Sequence, residues 1–367
     1  MMRQTPPFRA DMVGSLLRSP ALKAAREKNE RSELSAEALR EIEDREIREL
    51  VKKQEAVGLQ AVTDGEFRRA FWHFDFLEHL TGVEGYWMDQ GIAFKGVATK
   101  PKGVRVVGKI GFPSDHPHLA HFKFLKSVTS RTPKMTIPSP SMLHYRGGRK
   151  AVDSKVYPDM DGYYEDLGKA YATAVQAFYD AGCRYLQLDD TSLAYFCDPE
   201  QRKMLQDRGD DPAALIGRYR EMINAATRNR PKDMTVTTHT CRGNFRSTFI
   251  ASGGYEPVAD IVFNQIDVDG YFMEWDDDRS GGFEPLRLLP KGKHVVLGLV
   301  TTKAGQLERK DDIKRRIETA AKYAPLDQLC LSPQCGFAST EEGNVLSEEE
   351  QWAKLRFIVD VAKEVWG

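Results

Sequence analysis

The sequence lacks two features that would place it on a membrane or on nucleic acid. None of its 367 residues fall in a run of about 18 apolar residues, so no membrane span is predicted. Its formal net charge is −1, and the missing basic excess argues against nucleic acid as the main partner. The first seven residues lack the apolar core of a signal peptide, so a cytoplasmic location is expected.

Cysteines are few, and their spacing excludes a regular disulfide framework. There are five, an odd number without close regular spacing. This usage is typical of a reducing compartment, in which thiols stay available for metal binding or catalysis. Cys183 and Cys330 lie in or beside apolar runs and are expected in the core. Cys197 lies in a predicted loop, and the sequence indicates no role for it.

Eight β-type runs alternate for the most part with helical segments. They cover residues 9–14, 59–63, 135–138, 184–190, 234–238, a run ending at Glu274, 294–300 and 328–331. Strand–helix alternation requires a parallel sheet, and eight units predict a single (β/α)8 TIM-type barrel. The alternative is a doubly wound open sheet, but no glycine-rich dinucleotide loop follows the first run. One catalytic domain over residues 1–367 is expected.

Helix ends and one insertion complete the predicted architecture. Ser35 is expected to cap a helix that ends at Gly58, and Ser347 with Glu350 forms a capping box for the last helix. Further helices are expected at about 119–128, 164–182, 213–228 and 256–263. Residues of about 81–130 form an insertion that begins with a β-hairpin excursion between the second and third strands.

Potential metal ligands follow several of the β-type runs. His239 and Cys241 point the same way from one strand, and an imidazole beside a thiolate suits zinc. Glu274 and Cys335 end or follow two other runs and complete a four-ligand set. A structural zinc, or two core cysteines, is the alternative. Structural sites usually take paired Cys-x-x-Cys ligands, so ligands spread over about a hundred residues favour a catalytic site.

The sequence resembles the catalytic barrel of cobalamin-independent methionine synthase. The motifs that carry this likeness, in the same order along nearly the whole chain, are 13–15 (Val-Gly-Ser), 64–66 (Asp-Gly-Glu), 187–190 (Gln-Leu-Asp-Asp), 239–241 (His-Thr-Cys), Glu274 and 333–336 (Pro-Gln-Cys-Gly). The chain is similar to the stand-alone, single-barrel members. The resemblance implies that His239, Cys241, Glu274 and Cys335 bind Zn²⁺. It also implies that Ser15, Glu66 and Asp189 hold the amino-acid part of homocysteine. The residues alone leave Glu66 and Asp189 equally open to a role as helix caps.

The expected function is a zinc-dependent methyltransferase that methylates the thiol of homocysteine, or of a similar small thiol. Alkylation of another thiol is the second hypothesis, because related single-barrel zinc enzymes alkylate thiols such as coenzyme M. A non-catalytic zinc- or thiol-binding protein is the third. The expected partners are a small thiol substrate and a methyl donor. A homodimer and a corrinoid protein are further partners that the sequence leaves open.

The donor side departs from the pattern of the two-barrel enzyme. The loop at 137–140 lacks the tryptophan that packs on the folate ring there, and 301–303 (Thr-Thr-Lys) replaces the histidine that serves as an acid. A lysine is a weaker acid than an imidazolium, so Lys303 is a poor substitute. Methyl-folate is therefore predicted to be a poor donor compared with a sulfonium or a methyl-corrinoid. The candidate donor-side residues are Lys303, Trp72, His144 and Arg146.

Overall fold

A six-stranded parallel sheet forms the centre of the computed structural model, which describes residues 3–367. The strands are β1 (Ala61–Val62), β2 (Thr81–Trp87), β3 (Ala93–Phe94), β4 (Val97–Ala98), β5 (Lys102–Gly111), β6 (Thr132–Pro133), β7 (Met135–Pro138), β8 (Tyr185–Asp190), β9 (Thr235–Thr240), β10 (Gly270–Glu274), β11 (His294–Val300) and β12 (Leu329–Pro333). The helices are α1 (Pro20–Glu30), α2 (Ala36–Ala56), α3 (Phe74–Leu77), α4 (Pro117–Ser127), α5 (Met160–Asp180), α6 (Ser192–Tyr195), α7 (Pro199–Asp207), α8 (Pro212–Thr227), α9 (Lys310–Ala320) and α10 (Glu348–Trp366).

Two further parallel segments extend this sheet. The six strands run in the order β7 to β12, and every neighbouring pair is parallel. Beside β12, Ala10 forms a parallel bridge to Leu331. At the other edge, β6 leads directly into β7 and pairs in parallel with β1. Leu16 N donates to Gly65 O at 3.1 Å, which brings the ends of the first and second segments together. This α/β arrangement is consistent with the predicted barrel.

The sheet buries both of its faces. The main core cluster contains Leu186 of β8, Met273 of β10 and Leu297 of β11. A second, separate cluster contains the neighbouring residues Tyr185, Phe272 and Val296 of the same three strands. Its other members are Phe8, Val13, Ala61 and Cys330. Successive side chains of a strand point to opposite faces, so the second cluster lies on the face away from the main core. In a parallel sheet that is covered on both sides, the strands are mostly apolar. The polar side chains described below lie at the ends of such strands.

The predicted hairpin excursion is present between β1 and β7. Strand β2 pairs with β5 in antiparallel register, from Glu84 opposite Arg105 to Trp87 opposite Lys102. Between them, β3 and β4 form a second, two-residue antiparallel pair. Residues 88–101 are called the hairpin tip below. Helix α4 then returns the chain to β6.

Most of the predicted helix ends are confirmed. The Ser35 side chain caps α2, Gly58 has a left-handed φ of 95°, and the capping box of α10 is present. Helix α5 begins earlier than predicted because Asp159 caps it. The predicted short helix at 256–263 is present as a continuous helical segment of mixed type, which begins with a 3₁₀ turn at Glu256–Val258 and ends with a π-helix at Ile261–Gln265.

Two further expectations from the sequence concern core cysteines and membrane-spanning segments. Cys183 and Cys330 are fully buried, as predicted for core residues. Among the helices of residues 3–367, none is long and apolar enough to cross a membrane.

Candidate active site

Four potential metal ligands converge at the carboxyl edge of the parallel sheet. They are His239 in β9, Cys241 immediately after it, Glu274 at the end of β10, and Cys335 two residues after β12. One ligand atom from each lies within 4.8 Å of the other three. The carboxyl ends of parallel strands meet at one edge, which explains how ligands distant in sequence come together. The four residues predicted as ligands are therefore neighbours in the structure.

His239 presents a single unused nitrogen to this cluster. Its Nδ1 lies 3.3 Å from the backbone oxygen of Phe272, the residue opposite it on β10. That carbonyl can only accept, so Nδ1 carries the proton. Nε2 is buried and has no hydrogen-bond partner. A histidine that donates through one nitrogen and keeps a lone pair on the other is oriented as metal-ligating histidines are.

The two cysteines of the cluster are close enough to share one metal ion. Their sulfur atoms lie 3.5 Å apart. Two sulfurs each about 2.3 Å from a tetrahedral zinc would be separated by roughly 3.8 Å. The hydrogen bond from Cys241 lowers the pKa of the Cys335 thiol well below its usual range, and it raises the pKa of Cys241. The pair therefore already stabilises one thiolate.

Glu274 is held rigidly behind the thiols. Its side chain is completely buried, with one carboxylate oxygen 3.2 Å from the backbone nitrogen of Arg242 and the other 3.0 Å from the Arg279 guanidinium. Its own backbone nitrogen donates to the Tyr255 hydroxyl at 3.0 Å. Such partners orient a carboxylate and match its charge, as expected of groups that support a metal ligand.

A cavity with a volume of about 50 Å³ opens beside the cluster. Its lining includes His239, Cys241 and Cys335 together with Ser15, Glu66 and Asp189. A single water molecule needs roughly 10–15 Å³ on this measure, so the cavity has room for a ligand larger than water. Three of the four residues predicted to bind the metal thus share one cavity with the residues predicted to bind the acceptor, while Glu274 lies outside its lining.

Glu66 and Asp189 bring two carboxylates into this space. Glu66 accepts a hydrogen bond from the Thr136 hydroxyl at 3.0 Å and lies 3.5 Å from Arg69, while its second oxygen is buried without a partner. Burial raises its pKa. Asp189 accepts a hydrogen bond from Gln187 at 2.6 Å, and burial, with a smaller contribution from Glu66, raises its pKa to about 7. A cationic ligand would relieve this crowding of acids.

Ser15 reaches the cavity from the segment that precedes α1. Its backbone oxygen accepts from Phe337 N at 2.9 Å, and its Oγ accepts from Ala338 N at 3.3 Å. A Cβ on Gly336 would lie only 1.9 Å from Ser15 Oγ. Glycine at 336 therefore lets the loop that carries Cys335 approach Ser15 this closely.

Two of the four donor-side residues predicted from the sequence line the cavity, and two do not. Trp72 and Arg146 line the cavity. His144 does not, because its ring is buried among tyrosines and its Nδ1 lies 2.8 Å from the Tyr219 hydroxyl. Lys303 is also absent from the lining; its buried Nζ has no hydrogen-bond partner, and its charge lowers the pKa of both Cys241 and Cys335. His144 and Lys303 therefore lie outside the lining of this cavity, and a donor-side role stays a prediction for all four residues.

Sequence reasoning missed several aromatic and apolar wall residues. They are Phe94 and Ile92 from the hairpin tip, Tyr195 from α6, and Phe245 from the loop after β9. Phe245 closes the motif that follows His239, so its position near the site could have been inferred. Phe94 could not, since nothing in the local sequence says where a hairpin tip will fold back.

Comparisons with known proteins identify the family. The model of the family described as "Cobalamin-independent synthase, Catalytic domain" matches residues 8–364. YxjG, an uncharacterised Bacillus subtilis protein, is 54% identical over 368 residues, covering 100% of this chain and 97% of YxjG. The 5-methyltetrahydropteroyltriglutamate–homocysteine methyltransferase of Bacillus velezensis is 24% identical over 362 residues, covering 96% of this chain but 42% of that longer protein.

A solved structure agrees with this relationship. It is a Listeria monocytogenes protein named as a candidate vitamin-B12-independent methionine synthase, 43% identical to this chain, with a TM-score of 0.81 and 100% of both chains covered. These names contain no reference to a homodimer or to a corrinoid protein, so both remain predictions. The chain belongs to the cobalamin-independent methionine synthase family, whose members are methyltransferases, and it carries the catalytic domain of that family.

Proposed function

We propose that this protein transfers a methyl group to the thiol of homocysteine, with one zinc ion per chain, and so forms methionine. The observation that carries the proposal is the cluster of four potential ligands, three of which line one cavity together with the carboxylates of Glu66 and Asp189. The methyltransferase of Bacillus velezensis acts, by its name, on homocysteine. Family membership and local geometry support the same reaction class.

His239, Cys241, Glu274 and Cys335 would hold the zinc ion. The buried lone pair on His239 Nε2 and the short distance between the sulfurs fit that metal. When bound, zinc supplies one kind of chemistry, which is to stabilise a substrate thiol as the nucleophilic thiolate at neutral pH.

The chain's own residues would hold the amino-acid part of the acceptor. Glu66 and Asp189 would bind the α-ammonium group, because its charge compensates two carboxylates whose pKa values burial raises even with Arg69 3.5 Å from Glu66. Ser15 would bind the α-carboxylate through its hydroxyl or its backbone N–H. Fixing both groups orients the acceptor sulfur toward the cysteines, which is the proximity contribution to the reaction.

The same proposal includes the closed barrel. The eight parallel segments from Ala10 to β12 would form one (β/α)8 barrel, and residues 1–367 would form one domain with 81–130 as its insertion. The pairing of Ala10 with β12, of β1 with β6, and the contact between Leu16 and Gly65 support closure.

The test is metal content and activity after loss of single thiols. Cys241→Ser and Cys335→Ser should each lower bound zinc and abolish homocysteine methylation, because each removes one ligand. Cys197→Ser is the matched control, since Cys197 is buried outside the cluster, with its sulfur 3.7 Å from Leu193 O. Elemental analysis that found an active, purified protein free of zinc would overturn the proposal.

A further inference from the structure

Part of the cavity wall is contributed by the insertion. Ile92, Phe94 and Thr99 of the hairpin tip line the cavity. Phe94 packs on Phe245, with ring centroids 5.3 Å apart. The tip is fixed from outside by Lys100, whose ammonium lies 2.6 Å from Glu341. A donor must therefore reach the thiol through a space that the tip limits in size.

The part of the cavity wall that includes the hairpin tip is largely aromatic. Phe71, Trp72, Tyr195 and the pair Phe94–Phe245 line it. His73 also lines it, stacked between its neighbours, with centroids 4.5 Å from Trp72 and 3.8 Å from Phe74. Burial, together with the positive charge of Arg146, lowers the pKa of His73 well below its usual range, so its ring is neutral at pH 7. The other ionisable group among these rings is the Tyr195 hydroxyl, and burial raises its pKa to about 12, so this side offers a leaving group only a weak acid.

The same wall carries one cation that lacks an acidic partner. Arg146 is exposed, donates to the Tyr195 hydroxyl at 3.2 Å, and lies with its guanidinium carbon 5.3 Å from that ring. Within residues 3–367, no carboxylate oxygen comes within 4.0 Å of its guanidinium nitrogens. A guanidinium at the rim of a ligand cavity is suited to bind a carboxylate.

We propose that the hairpin tip and Arg146 form the subsite of the methyl donor, and that this donor is a compact methylsulfonium compound bearing a carboxylate. The aromatic wall binds the sulfonium through cation–π attraction, and Arg146 binds the carboxylate. This inference rests on the proposed function, because it assigns the second substrate of the same site.

The reaction balances without a proton. The lone pair of the acceptor thiolate forms the new S–CH₃ bond, while the bond between that methyl carbon and the sulfonium sulfur breaks. The bonding electron pair stays on the donor sulfur, which leaves as a neutral thioether. A folate amine would need protonation before departure, and the Tyr195 hydroxyl, whose pKa burial raises to about 12, is a weak acid for that step.

The experiment compares donors with the zinc-loaded protein and homocysteine. The donors, at equal concentration, are 3-(dimethylsulfonio)propionate, trimethylsulfonium, 5-methyltetrahydrofolate and methylcobalamin. We expect the sulfonium carboxylate to react fastest. Arg146→Ala should raise its KM about tenfold and leave that of trimethylsulfonium unchanged, and Arg146→Lys should restore part of the loss. Calorimetric titration of the sulfonium carboxylate without homocysteine should give the same loss of affinity.

The hairpin tip has its own variant and control. Phe94→Ala should weaken sulfonium binding and reduce the preference over the larger donors. Trp87→Ala should do neither, since Trp87 lies on the hairpin stem and is 71% exposed. Fastest turnover with methyl-folate or methylcobalamin, or an Arg146→Ala variant with unchanged KM, would overturn the inference. X-ray absorption at the zinc edge distinguishes a failure of the proposed donor from a failure of the proposed function. Homocysteine sulfur entering the zinc shell without sulfonium turnover rejects only the donor, whereas no entry rejects the proposed function as well.

Discussion

Burial of the Asp189 carboxylate lowers the stability of the protein, and the same carboxylate is proposed to bind the acceptor's ammonium group. Its pKa is raised to about 7 from an ordinary value of 3.8, because burial disfavours the charged form. Between these values the folded state binds more protons than the unfolded state. The free energy of unfolding therefore falls as pH rises through that window. An ammonium group bound beside Asp189 would compensate the cost.

Asp189→Asn should consequently stabilise the protein while it weakens the acceptor site. We expect a higher Tm than that of the parent at pH 8 and a smaller difference at pH 4, measured by calorimetry. The KM for homocysteine should rise about ten- to a hundredfold, since a hydrogen bond to a charged group contributes about 1.5–3 kcal/mol, and zinc should be retained.

The neighbouring acid is the matched control for this prediction. Asp190 accepts hydrogen bonds from the hydroxyls of Ser141 and Ser192 at 2.5 and 2.7 Å, and from Leu193 N at 2.9 Å. Asp190→Asn should lower the Tm at both pH values because it disturbs satisfied, buried hydrogen bonds. An Asp189→Asn variant less stable than its parent at pH 8 would contradict the assigned cause of the raised pKa.

At the residue scale, the sequence predicted the four ligands because strand-end positions in a parallel sheet converge. It predicted Ser15, Glu66 and Asp189 as site residues through resemblance, and all three line the cavity. It could not separate Arg146, which faces the cavity, from His144 in the same loop. The direction of a loop side chain depends on tertiary packing, here on the tyrosines that enclose His144.

Among the elements, α4 and its N-terminal cap form an acid-sensitive part of the insertion. The ring centroids of His116 and His118 are 5.2 Å apart, and those of His118 and His121 are 5.1 Å apart. Burial lowers all three pKa values, to about 4 for His116 and about 2 for His121, and nearby cations, including Arg68 and Arg69, lower them further. The unfolded chain binds these protons first, so stability falls as pH drops below about 6.5.

His118→Leu should reduce this sensitivity to acid. Both ring nitrogens of His118 are buried without a hydrogen-bond partner, so an apolar side chain of similar size removes a desolvation penalty. We expect a higher Tm at pH 7 and a smaller decrease between pH 7 and pH 5. His79→Gln serves as the control because His79 is exposed. Equal pH dependence in His118→Leu and the parent would show that the loss arises elsewhere.

Most of the longer helices were predictable from the sequence, whereas α1, α7 and α9 and the four-residue helices α3 and α6 were not. Helix α7 buries only Leu205, and α9 buries only Ile313, Ile317 and Ala320. Helix α1 has a good cap at Ser19 but buries only Leu22 and Ala25. So few apolar positions give a weak helical period, and these helices depend on packing against the rest of the protein.

At the scale of the whole molecule, the order of parallel segments followed from the alternation of strands and helices. The placement of the insertion did not, because a hairpin fixes its own register but not its orientation on the domain. The part of the site that was predictable is the part built on strands. The aromatic wall of the cavity is built largely on loops and on the hairpin tip. This explains why Phe94, Tyr195 and Phe245 were missed.

The distance between the ligands along the chain has a consequence for folding. Cys241 and Cys335 are separated by 94 residues, and both come to the same edge only after β9 to β12 have paired. Zinc bound as proposed would therefore not act as a nucleus, in contrast to a zinc finger whose ligands lie close together in sequence. The protein should fold first and load its metal afterwards.

We expect chelation to leave a folded protein. Its far-ultraviolet circular dichroism should match that of the loaded form, with a Tm lowered by the mass-action contribution of the lost ion, and added zinc should restore the Tm without a refolding lag. A chelated protein without cooperative unfolding would refute this order of events. With assembly in this order, the metal would enter a site that has already folded. Cellular zinc supply would then govern how many molecules are active and not how many are folded.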